Sequence, residues 1–293
     1  MQLATAPVSW GIRYPTDQQQ MSWRNCLDEM AAAGFVWTEL GPPGFIPGSS
    51  EEIGIELQIR QLRLCAASVQ GSLADPKNNR DIILATTHAC DALASLGGST
   101  LVIIDGRYSD RLSTDPLSQP IVNEESWLRI MQTAHDMAQI AVHEYGLQAA
   151  FHPHTDTHIE TPENTYRFLE EMDNTLLGIC LDTGHLAYCG IDPIEFTKRY
   201  IHQISHVHLK NIDLSFRERV LSNRIPYVEA VAQGIFTNPQ AGSLDLQEIV
   251  RLLEVSKYDG FIVMEQDMYP APSDKPLPIA IETKKFMSEL GLI

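Results

Sequence analysis

The chain is poor in the features that mark redox, membrane and nucleic-acid proteins. Five cysteines occur in 293 residues, Cys26, Cys65, Cys90, Cys180 and Cys189, with no CxxC pair and no zinc-finger spacing. A disulfide framework is thereby excluded, and reduced thiols in a cytoplasmic protein are expected. No stretch reaches 18 uninterrupted apolar residues, so no membrane-spanning helix is expected. The opening MQLATAPVSWGI has no basic region followed by a long apolar run, so no secretory leader is expected. Positive charge is scarce: 21 Lys and Arg face 38 Asp and Glu, a net charge of −17. Such a surface repels phosphate backbones and argues against nucleic acid as a partner. The first turn, Ser9-Trp10-Gly11-Ile12-Arg13, is not GxGxxG, which disfavours an open, doubly wound nucleotide-binding sheet.

What is present is a core and a repeat. Hydrophobic residues make up 44% and charged residues 20%, enough to bury a large interior. Eight strand candidates occur in order: Leu3–Ile12, Phe35–Leu40, Leu64–Val69, Thr100–Asp105, Leu147–His152, Leu177–Asp182, Ile204–Lys210 and Gly260–Gln266. Helical patterns lie between them, including Met21–Ala33, Arg80–Leu96 and Glu124–Tyr145, the last with a wide apolar stripe. Thr161-Pro162-Glu163 reads as a helix start. Asp192 and Asp245, each followed three residues later by Glu, resemble capping boxes. Gly34, Gly97-Gly98 and Gly146 stand where helices end. Strand and helix alternate with no break in composition. This predicts an α/β fold, a single (β/α)8 TIM barrel in one domain over residues 1–293. The stretch Asp213–Ser243, after the seventh strand, reads as irregular and is expected to form a lid at the active end of the barrel.

Four of the predicted strands end in metal-binding side chains: His152 and His154 in AAFHPH, Asp182 in GICLDTGH, His208 in ISHVHLK and Glu265 in FIVMEQD. Polar groups that finish apolar strands are costly to bury unless they bind something. Side chains alternate along a strand, so His206, His208 and Lys210 share one face, as do Val263, Glu265 and Asp267. Asp182, His208 and Glu265 are therefore expected to converge at the top of the barrel. Mixed imidazole and carboxylate ligation suits Mn²⁺, Co²⁺, Fe²⁺ or Zn²⁺ better than Mg²⁺. A divalent cation there would act as a Lewis acid on a carbonyl.

Other residues read as inward-facing. Glu39, ending the second strand in WTELG, is a candidate for binding a hydroxyl or acting as a base. His185, three residues past Asp182, and Trp10 are candidates for touching substrate. Lys210 is a candidate acid or base, with Glu265 and His152. Arg107, Arg217, Arg219 and Arg224 fall in loops that could hold an anion.

Taken together, HPHTDTHIETPE, CLDTGH, HVHLKNID and VMEQD resemble the xylose-isomerase-like barrel superfamily, which includes sugar phosphate isomerases and epimerases. APVSWGI, GFVWTELGPPG and GIFTNPQAG further resemble its inosose dehydratase branch. The resemblance covers nearly the whole chain. It implies a TIM barrel with a divalent metal held from the fifth to the eighth strands. Asp182, His208 and Glu265 match three of those ligands, and His185 matches a substrate-contacting position. It also implies a small sugar or cyclitol as substrate, and homodimers are common in such barrels. The fifth strand departs from the pattern: where many members have Glu, FHPH places His152, with His154 and Glu160 as rival ligands. The loss of that carboxylate argues against a two-carboxylate epimerase mechanism and suits a dehydratase, or an isomerase with a separate base. A sugar-binding barrel without catalysis is the alternative.

Overall fold

The computed structural model describes residues 1–106 and 122–291. Among the described residues ten strands run in chain order: β1 Gln2–Thr5, β2 Trp37–Glu39, β3 Arg63–Gly71, β4 Thr100–Asp105, β5 Gln148–Phe151, β6 Gly178–Asp182, β7 Ile204–Leu209, β8 Asn211–Ile212, β9 Phe236–Thr237 and β10 Phe261–Met264. All but β8 and β9 form a closed barrel in the order β1-β10-β7-β6-β5-β4-β3-β2. The barrel pairs are parallel, and helices fill the connections, as expected for a (β/α)8 barrel. No helix among the described residues is long and apolar enough to cross a membrane.

Residue size explains the layering. Ala4, Ala6, Cys65, Ala66, Val102, Ala150, Cys180 and Val263 fill the barrel interior. Larger side chains on the other face of the same strands, including Leu64, Leu101, Ile103, Phe151, Leu181, Val207 and Ile262, pack outward in the main core. The alternation that defines each strand thus separates a narrow interior from a broad shell. Gly97 ends the helix Asn79–Leu96 in a left-handed conformation, φ 75°, which glycine adopts without steric cost. Thr161, Asp192 and Asp245 each cap a helix by accepting backbone N–H bonds. The complete capping box is at Ser49 and Glu52, opening Ser50–Gln58.

Three expectations change. The first strand stops at Thr5, and Pro7–Trp10 forms a 3-10 turn closed by Gly11. Proline favours such a turn and cannot donate to a sheet ladder. The helix predicted to run through Tyr145 is α-helical only to Gln139 and continues as one π-turn, Ile140–Glu144. The stretch 213–243 is folded rather than irregular. It contains helices Leu214–Asn223 and Tyr227–Ala232, and β9 returns antiparallel to β8. A small core joins its Val220, Tyr227, Ala230, Val231, Ile235 and Phe236 to Ile212 of β8 and to Ala187 and Tyr188 of the helix Thr183–Tyr188.

Candidate metal centre

Register brings the polar strand ends together. Asp182 on β6 stands opposite His208 on β7, and His208 stands opposite Val263 on β10. Glu265 lies two residues past Val263, on the same face, and its N–H continues the ladder to Leu209. The N–H of His152 likewise continues β5 against Ile103 of β4. All four side chains are buried, and His152, His208 and Glu265 border a cavity of about 330 Å³.

Asp182 Oδ1 accepts the His185 N–H at 2.9 Å. Its Oδ2 is buried and makes no hydrogen bond among the described residues. Around Oδ2 stand Lys210 Nζ at 3.1 Å, His152 Nε2 at 3.4 Å and His208 Nδ1 at 3.7 Å. His208 Nδ1 also has no hydrogen bond among the described residues, and it lies 3.3 Å from Glu265 Oε2. His152 Nδ1 is 2.9 Å from the Pro153 carbonyl. A carbonyl only accepts, so Nδ1 carries the hydrogen and Nε2 presents a lone pair towards Asp182.

These atoms fit a cation. Ligands at about 2.0–2.1 Å around a tetrahedral ion lie about 3.3 Å from one another. The observed spacings of 3.3, 3.4 and 3.7 Å are of that size. His208 Nδ1, buried without a hydrogen bond among the described residues, is otherwise costly, whereas Asp182 Oδ2 is offset by the Lys210 ammonium. Asp182, His208 and Glu265 form one candidate ion-holding group, and His152 joins Asp182 and His185 in another.

Electrostatics set the protonation states. Burial acts to raise the Asp182 pKa, but Lys210 and His185 beside it hold the carboxyl well below the usual range. Burial pushes Glu265 up to about 7, against the pull of His208 and Lys210. Burial opposes the Lys210 charge, yet Asp182, Asp267 and Glu265 keep the ammonium protonated well above its ordinary range. Its Nζ lies 3.1 Å from Glu265 Oε2 and 2.7 Å from Asp267 Oδ1. Burial and the nearby ammonium lower His185 to about 4. His185 is therefore neutral at pH 7, with Lys210 Nζ 3.1 Å from its Nε2 and Thr155 Oγ1 2.9 Å from its Nδ1. A Cβ at Gly184 would come within 2.7 Å of the Lys210 stem. The glycine of DTGH thus makes room for the lysine.

The other predicted residues divide. His154 lines the cavity but turns to His185 and Asp267, not to Asp182; its ring lies 3.8 Å from that of His185. Glu160 Oε2 accepts the Asp156 N–H within the loop. Glu39 reaches the cavity floor, where its Oε1 meets His206 Nε2 at 2.8 Å and His208 Nε2 at 2.9 Å. Trp10 does not reach the cavity. It is fully buried in the main core, and its indole N–H donates to Glu29 at 2.9 Å. The expected substrate wall is a packing residue, displaced because the first strand turns away after Thr5. Arg217 donates to the Tyr188 carbonyl, Arg219 to Ser215, and neither they nor Arg224 line the cavity. Arg107 lies outside the described residues. Arg13, Tyr14 and Asp267 line the cavity without having been singled out. Asp267 was legible as the next same-face residue after Glu265. Arg13 follows the unpredicted turn and carried no signal. Tyr227 and Phe236 of the folded 213–243 segment pack near the His185 ring, at 6.2 and 5.2 Å.

Known proteins resemble this chain over its whole length. Inosose dehydratases of Clostridium perfringens (strain 13) and Bacillus thuringiensis (strain Al Hakam) are 27% and 28% identical to it, each over 99% of this chain and 97% of the relative. Among solved structures, the IolI protein with a bound zinc atom superposes with a TM-score of 0.71 at 16% identity, covering 99% of this chain and 98% of the other. The probable 3-DHS dehydratase AsbF of Bacillus anthracis gives 0.70 at 17%, covering 98% and 99%. At these identities the superpositions speak for the fold. The model of the xylose isomerase-like TIM barrel family matches residues 27–290, and the chain belongs to that family.

Proposed function

We propose that His152, Asp182, His208 and Glu265 hold one divalent cation and that the protein removes water from a keto-cyclitol of the inosose class. One observation carries the reading: Asp182 Oδ2 and His208 Nδ1, both buried without hydrogen bonds among the described residues, face a common point with Glu265. The near full-length likeness to inosose dehydratases supports the substrate class. Manganese, cobalt, iron or zinc suits this ligand set. When bound, the cation polarises the ketone and so acidifies the neighbouring C–H bond.

The chain's own groups move the protons. Glu265 takes the proton from the carbon beside the ketone. The Lys210 ammonium gives a proton to the β-hydroxyl. The C–O bond breaks, the electron pair of the C–H bond forms the new C=C bond, and water leaves. The Lys210 amine stands 3.1 Å from the Glu265 carboxyl group, so the proton taken from carbon by that group can return to the amine and restore both residues. Neutral His185, held by Thr155, orients hydroxyls from the side. A ketosugar isomerase or epimerase would return the proton to carbon. His152, standing where a second carboxylate would serve that chemistry, favours dehydration.

The test is elemental analysis of the purified protein, then inosose in D₂O followed by NMR. Stoichiometric metal and loss of water are expected. Deuterium at the α-carbon without water loss would replace dehydration by isomerisation. No metal and no exchange would leave a sugar-binding barrel.

A further inference from the structure

We infer that Glu39 is a positioning residue which fixes His208 as its Nε2–H tautomer, so that Nδ1 is the atom offered to the cation, and that His206 locks Glu39 in place. The inference rests on the proposed metal centre. Glu39 Oε1 lies 2.8 Å from His206 Nε2 and 2.9 Å from His208 Nε2. A carboxylate only accepts hydrogen bonds, so both Nε2 atoms carry hydrogen. With Nε2 of His208 committed, Nδ1 is the ring atom left to face Asp182 and Glu265, and it is the one without a hydrogen bond among the described residues. A carboxylate behind a ligating histidine sets its ring orientation and raises its basicity.

Topology makes this contact cross the barrel. Strands β2 and β7 are separated on the wall by β1 and β10. Glu39 therefore reaches through the interior to two histidines on one face of β7, all three side chains being buried. One imidazole would leave the carboxylate free to turn about its bond. Two donors, two residues apart on a rigid strand, hold it. The same clamp removes Glu39 Oε1 from any direct role on substrate.

The rival arrangement is a cation seated on Glu39, His206 and His208 themselves, which also lie close enough for one. Calorimetric titration of the metal-free protein with Zn²⁺ separates the two, alongside long-range ¹H–¹⁵N spectra of the zinc-loaded form. Glu39→Gln keeps the side-chain volume, and circular dichroism checks its fold. We expect E39Q to bind zinc about 10–100-fold more weakly, and wild-type His208 to show zinc on Nδ1 with hydrogen on Nε2. Asp182→Asn should lose zinc, and His206→Gln should bind it more weakly but measurably. Wild-type affinity in E39Q beside a defective D182N would overturn the inference and leave the metal centre standing. Zinc on Nε2 of His208, or binding abolished by H206Q and retained by D182N, would place the ion in the rival group and overturn it. No zinc binding by the wild type would remove the metal centre and this inference with it. Should E39Q fail to fold, the wild-type His208 spectrum alone decides.

Discussion

Asp105 and Asp182 end two strands of the same barrel, β4 and β6, and both are buried. Their surroundings differ. Asp105 is satisfied on both oxygens: Oδ1 accepts the Leu73 N–H, and Oδ2 accepts the His158 N–H while lying 2.7 Å from the His158 ring nitrogen. Asp182 is hydrogen-bonded on Oδ1 only; its Oδ2 makes no hydrogen bond among the described residues and has the Lys210 ammonium 3.1 Å away. A buried carboxylate with all its acceptors filled ties loops to the barrel. One with an oxygen pointing at an imidazole nitrogen that also lacks a hydrogen bond has work left for a ligand. The residue type and its place at a strand end do not distinguish the two; the fate of the second oxygen does.

The comparison breaks if Asp182→Asn proves harmless. The substitution keeps the oxygen that caps His185 and removes the charge facing His152 and His208. A bound cation contributes several kcal/mol to such a reaction, so turnover should fall about 1,000-fold. Metal content should fall below stoichiometry while circular dichroism is unchanged. Chelation sharpens the same contrast. At a free metal concentration of about 100 times Kd, the ion stabilises the native state by about 2.7 kcal/mol. EDTA should therefore lower the wild-type Tm and leave that of D182N where it was. Asp105→Asn should do the reverse: a loss of about 1–3 kcal/mol in urea unfolding, from a buried hydrogen-bond set left incomplete, with zinc affinity within twofold of wild type.

Much of this was written in the residues. The barrel was legible because the alternation of strand and helix patterns is a backbone-level signal, and Thr100–Asp105 falls where it was expected. Asp182, His208 and Glu265 were legible because a charged residue closing an apolar strand contradicts its neighbours. What could not be read was partnership across the barrel. Glu39 and His206 are far apart in sequence, and nothing local in WTELG says that its carboxylate meets two imidazoles rather than solvent. Nor does FHPH say which histidine turns to Asp182. That choice is made only in the folded chain, where His152 Nε2 stands 3.4 Å from Asp182 Oδ2 while His154 turns to His185 and Asp267. The 213–243 stretch looked irregular because two short helices and a two-residue ribbon carry little periodicity each.

Trp10 is the counterpart on the packing side and the smallest of the expected effects. It lies in Leu3–Ile12, expected as one strand, and was expected to touch substrate. Pro7 stops the ladder, the turn Pro7–Trp10 rotates the indole into the core, and its N–H finds Glu29 on the first α-helix, Trp23–Ala32. Trp10→Phe then removes one hydrogen bond and part of a buried ring. The expected cost is about 1–2 kcal/mol of stability, read as a lower urea midpoint with an unchanged slope. Because the ring does not line the cavity, KM for inosose should stay within twofold of wild type. A KM raised tenfold with unchanged stability would instead put Trp10 against the substrate, and the contrast between satisfied and unsatisfied buried groups would no longer separate packing from function in this barrel.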